Sequence, residues 1–81
     1  MRQLITTPSQ VGEILRGRRK TRRVSQHELA TKLGISQGRL SILEGDPAGM
    51  TLDRLILLAK LLDLELVLQD RADGPKSKVE W

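Results

Sequence analysis

Apolar positions along the chain recur at helical spacing in four stretches and then change period. Val11, Ile14 and Leu15 form the first helical stripe, with Arg18 extending the same side. Thr7-Pro8-Ser9-Gln10 ahead of them is a helix start: Thr7 as N-cap, Pro8 at the first helical position and Gln10 closing a capping box. The first helix is therefore expected from Pro8 to about Lys20. Gly12 and Gly17 each cost it roughly 1 kcal/mol relative to alanine, so packing has to hold it. The second stripe, Leu29, Ala30 and Leu33, follows Ser25 as N-cap, Glu28 as its box partner and Val24 as a staple onto Leu29. Gly34 supplies the positive φ that ends this helix. A third begins almost at once, with Ser36 as N-cap, Ile35 and Leu40 as staple, and Leu40, Ile42 and Leu43 running to a glycine stop at Gly45.

Asp46-Pro47-Ala48-Gly49 reads as a loop, and Thr51 caps a fourth helix from Leu52 to about Leu62. Leu52, Leu55, Ile56, Ala59 and Leu62 share its core face, with Leu58 at the margin. Leu57 and Leu61 lie nearly opposite, where they either bury against a second surface or stand exposed. From Asp63 to Gln69 the period becomes two: Leu64, Leu66 and Leu68 alternate with Glu65, Val67 and Gln69, which predicts a strand. A lone strand leaves its backbone unpaired, and the only other extended candidate is the short Leu4-Ile5 arm. The economical solution pairs the strand with its own copy across a two-fold axis, making Leu64, Leu66, Val67 and Leu68, with Leu57 and Leu61, the expected dimer contacts. The alternative is that this segment extends the fourth helix.

The 81 residues are enough for one small helical domain, expected over residues 1–70, and too few for an enzyme with a separate substrate lobe. Residues 71–81 are polar, contain Gly74-Pro75 and read as a flexible tail, yet they end in Trp81, the only aromatic residue. That ring is either an anchor for a partner or a terminal residue of no consequence. No cysteine and a single histidine leave no thiolate or histidine metal site, and no cofactor is expected. Without an apolar run of membrane-spanning length or a signal-peptide pattern, the expected location is the cytoplasm. The net charge of +4 is unevenly placed: residues 1–45 carry nine Lys/Arg against three Asp/Glu, and residues 46–81 five against seven. Six of the eight residues from Arg16 to Arg23 are basic, suiting a phosphate backbone or, equally, a solvated helix end favoured by the helix dipole.

Two short helices joined by a tight glycine turn, the second presenting Gln37, Gly38, Arg39 and Ser41 near its start, describe a helix-turn-helix. Gln37 suits a bidentate pair with adenine or a phosphate, and Arg39 a fork onto guanine or a phosphate. Gly38 leaves room for close approach, Ser36 stands at the helix start, and Ser41 and Gln26 suit phosphate contacts that set register.

The stretch SQHELATKLGISQGRLSILEG resembles the repressor-like helix-turn-helix family of Xre or Cro/C1 type, whose pattern runs approximately SQxELAxxLGISQxxLSxLExG. The resemblance implies that Gln26 contacts backbone phosphate, that Gln37 and its neighbours face base edges, and that Arg19 pairs with Glu44 while facing phosphate. Arg39 departs from the small Thr or Ser common at its position. Beyond the motif, the TPSQ start, the fourth helix, the LELVLQD strand and the Glu80-Trp81 end resemble HipB-type antitoxins. That resemblance implies an all-α, four-helix domain whose C-terminal strand forms an intersubunit β-lid. It further implies a homodimer that binds a palindromic operator, represses its own operon and neutralises a HipA-like Ser/Thr kinase toxin, with Trp81 a candidate partner contact. A free-standing Xre-type repressor is the alternative. An enzyme is not expected, because no nucleophile-base set, carboxylate pair or phosphate loop is present.

Overall fold

The structure, a computed structural model, describes residues 1–71. Four helices form: α1 (Pro8–Thr21), α2 (Gln26–Leu33), α3 (Gln37–Gly45) and α4 (Leu52–Leu61), with a 3₁₀ turn at Pro47–Gly49 between the last two. Local capping sets the starts. Gln10 Oε1 accepts from the Thr7 backbone N–H at 3.0 Å, and the hydroxyls of Ser25, Ser36 and Thr51 accept from Glu28, Arg39 and Arg54 N–H at 3.0, 3.1 and 3.2 Å.

Three helix ends share one geometry. After α2, Gly34 takes φ 74°, its N–H donates to Thr31 O and the Ile35 N–H to Ala30 O. After α1 and α4 the same paired bonds form around Arg23 (φ 58°) and Asp63 (φ 57°), with Val24 N–H donating to Arg19 O and Leu64 N–H to Ala59 O. Gly45, expected as a stop, is instead the last residue of α3 with no positive φ, and the chain leaves through Asp46 at φ −143°. Asp63 excludes the extension of α4 past Leu62. Residues 64–71 form neither helix nor ladder within the described residues, and the Leu4-Ile5 arm is not a strand; an Arg2–Gln69 side-chain hydrogen bond links the N-terminal arm to this segment.

Leu15, Leu29, Ala30, Leu40, Leu58 and Leu62 make the core, supported by Val11, Val24, Leu33, Ile35, Met50, Leu55 and Leu64. The α4 face is rotated from the expected one: Leu58 lies fully buried at its centre, whereas Leu52 and Ile56 are exposed. Ile42 is likewise outside the core, because α3 turns Leu40, Leu43 and Glu44 inward. Gly12 marks where α1 and α3 touch. A methyl there would overlap the Glu44 carbonyl and come within 3.3 Å of Pro47 Cδ. No helix among the described residues is long and apolar enough to cross a membrane.

Candidate nucleic-acid interface

The exposed start of α3 is braced from below by a chain of polar contacts. Glu44, on the inward face of α3, is only 3 % exposed, and Arg19 of α1 only 8 %. Their pairing is two-pronged: Arg19 Nε donates to Glu44 Oε2 at 2.8 Å and NH2 to Oε1 at 3.2 Å. Arg19 NH1 donates to Val24 O at 3.1 Å, so one guanidinium ties α1, the α1–α2 turn and α3 together. Gln26, at the first turn of α2, donates from Nε2 to Glu44 Oε1 at 2.9 Å. Because the carboxylate only accepts, the Gln26 amide must turn its nitrogen toward it, leaving Oε1 to accept from Gln37 Nε2 at 3.4 Å. Arg19, Glu44, Gln26 and Gln37 thus form one line from the core to the surface.

Burial is the largest influence on the Glu44 carboxyl and raises its pKa, but the hydrogen bonds from Arg19 and Gln26 and the charges of Arg19 and Arg16 together outweigh it. The net direction is down, and Glu44 stays ionised. No buried side-chain polar atom among the described residues lacks a partner.

On the outer side of α3, Gln37, Gly38, Arg39, Ser41 and Ile42 are all exposed, and Ser36 caps the helix just before them. These residues are the exposed part of α3, around the helix from the buried Leu40, Leu43 and Glu44. The basic run is placed differently. Arg16 NH2 donates to Glu44 O at 3.4 Å, Arg18 caps α4 by donating to Leu62 O and Asp63 O at 3.0 and 3.2 Å, and Arg22 pairs with Asp63 at 2.8 Å. With Arg19 in the Glu44 pair, four of the six charges hold helices together, and only Lys20 and Arg23 have no ionic or hydrogen-bonded partner for their side chains among the described residues. A sequence run records the sign of the charges but not which of them lie against helix ends. Ile42, one of the apolar residues expected along α3, is exposed. Its signal was the helical angle, since it lies opposite the face shared by Leu40, Leu43 and Glu44. No group of His, Asp and Glu among the described residues could hold a metal ion. Trp81 lies outside the described residues.

The chain matches a helix-turn-helix family model across residues 15–69. It is 30 % identical over 78 residues to the antitoxin HipB of Escherichia coli (strain K12), covering 96 % of this chain and 89 % of HipB. Two solved structures share the fold at TM-score 0.75 and 32 % identity, each covering 85 % of this chain: HipB in an O1–O2 complex, matched over its whole length, and HipB in a HipA–HipB–O2–O3 complex, matched over 97 %. The motif, the fold and a likeness that runs through almost the whole chain agree: this protein belongs to the helix-turn-helix family, as a DNA-binding antitoxin of the HipB type.

Proposed function

We propose that the chain dimerises, binds a palindromic operator with α3 in the major groove, represses its own operon, and neutralises a HipA-like Ser/Thr kinase toxin in the cytoplasm. The observation that carries this reading is the buried Arg19–Glu44 pair, which fixes Gln26 and through it Gln37 at the exposed start of α3. Side chains held in advance lose little conformational entropy on binding. Gln37 and Arg39 then address base edges, while Gly38 allows the helix backbone close approach. Ser36, Ser41 and Gln26 contact phosphate, helped by the unpaired N–H groups that open α2 and α3. Arg19 acts from beneath, as the residue that positions Glu44.

Dimerisation is supported by the apolar side chains left uncovered on one flank. Leu57 and Leu61 are 42 % and 37 % exposed, and Leu66, Val67 and Leu68 more so. Leu64 is partly buried on the core and anchors the segment, and a groove of about 340 Å³ lies between Ile56, Ala59 and Lys60 of α4 and residues Leu64 to Leu66. Pairing with the same segment of a second copy satisfies the free backbone groups and covers this flank together. The likeness to HipB in a HipA–HipB–O2–O3 complex supports a HipA-like partner. Fluorescence anisotropy on the gene's own promoter and on random duplex tests the operator reading, with preference for the promoter and steep loss of affinity with salt expected. Gln37→Ala should relax base preference at a cost of about 1 to 3 kcal/mol, and Gln26→Ala should weaken all sequences alike. Co-purification with the neighbouring gene product tests the toxin partner. Separate elution leaves the free-standing repressor.

A further inference from the structure

We infer that Ile42 is a specificity-determining residue that reads the 5-methyl group of a thymine in the major groove. This rests on α3 being the recognition helix. The outermost ridge of α3 consists of Gly38, Ser41, Ile42 and Gly45, opposite the buried Leu40, Leu43 and Glu44. Three of the four are small, and a Cβ at Gly38 or Gly45 would meet nothing within 4 Å. Ile42 is 69 % exposed on this otherwise low ridge. On the ridge its neighbours one turn away are the two glycines, which leave it unshielded along the ridge, while Arg39, three residues before it, stands at its side. It is the one large apolar group that a groove floor would meet.

Chemistry narrows what it meets there. A helix fits the major groove, whose base edges offer hydrogen-bond donors, acceptors and one apolar group, the thymine methyl. An isoleucine side chain has nothing to exchange with the polar edges and would strip water from them without replacement. Against the methyl it buries apolar surface on both partners. Its branched Cβ restricts χ1, so the contact is offered in few rotamers and costs little ordering. Ile42 therefore favours T·A over C·G at a position beside the one addressed by Gln37. Hydrogen bonding and methyl recognition then share one short helix.

The test uses the full-length protein and a synthetic duplex of the promoter segment that it protects in a footprint. Thymines are replaced one symmetric pair at a time by uracil, which removes the 5-methyl and leaves every hydrogen-bonding group in place. At one pair of positions wild-type affinity should fall by about fourfold per half-site, the equivalent of one buried methyl. The same replacement should leave the affinity of Ile42→Ala unchanged. Because Ile42 lies outside the core, this variant should melt like the wild type. Promoter-specific binding with no uracil-sensitive position, or with the same sensitivity kept in Ile42→Ala, overturns the assignment while leaving the operator reading intact. If the protein does not prefer its promoter over random duplex, the operator reading fails and the assignment with it.

Discussion

Gly12 and Gly17 look alike in the sequence and differ in what surrounds them. At Gly17 an added methyl meets nothing within 4 Å, so Gly17→Ala should raise stability by roughly 0.5 to 1 kcal/mol through helix propensity alone. At Gly12 the methyl would overlap the Glu44 carbonyl, and forcing α1 from α3 outweighs the propensity gain. Gly12→Ala should destabilise by about 1 to 3 kcal/mol. Paired urea melts check the opposite signs. Glu44 supplies a pH signature. Its pKa in the folded protein lies below the ordinary 4.5, so its contribution is present above that value and is lost as pH falls through the folded pKa. Glu44→Gln leaves Arg19 buried without its counter-ion and should cost on the order of 3 kcal/mol at neutral pH. The same variant should lose less stability than the wild type as the pH falls below about 4.5, as followed by urea melts at successively lower pH.

At the scale of elements, the helix ends carry what the helix interiors do not. Two of the three positive-φ ends are occupied by Arg23 and Asp63 rather than glycine. A left-handed arginine costs roughly 1 kcal/mol or more, partly offset in a glycine variant by the greater entropy of its unfolded chain. Arg23→Gly should therefore raise stability by about 0.5 kcal/mol, visible as a rise of a few degrees in the melting temperature. Asp63→Gly should gain less, because aspartate tolerates this conformation better and Asp63 also pairs with Arg22. If Arg23 meets phosphate, Arg23→Gly should also bind all duplexes more weakly and flatten the salt dependence, read by anisotropy.

For the whole molecule, the decisive question is what covers the flank of α4 and residues 64–68. In a paired strand, alternate N–H groups enter the ladder and the intervening ones point away. Of Leu66→Pro and Val67→Pro, one should therefore split the dimer in sedimentation and the other leave it largely intact. Equal behaviour of the two variants, or a wild-type monomer at micromolar concentration, would refute pairing through this segment.

The four helices, their caps and the helix-turn-helix were legible in the sequence because each rests on neighbours within a few residues: Ser25 and Ser36 three residues before the N–H they cap, and Gly34 at the only turn between α2 and α3. A nearly full-length resemblance carried the family further than spacing could. The Arg19–Glu44 pair followed from the resemblance, whereas the rotation of α4, the close passage of Gly12 over Glu44 and the use of Arg16 and Arg18 as internal ties were decided only in three dimensions. Periodicity shows that a helix has an apolar side, whereas the residues at the edges of that side are buried or bared by whichever helix lies across them. Local pattern thus specified the elements and the helix-turn-helix, and packing between distant segments decided which charges were drawn inward and which face of α4 was left bare.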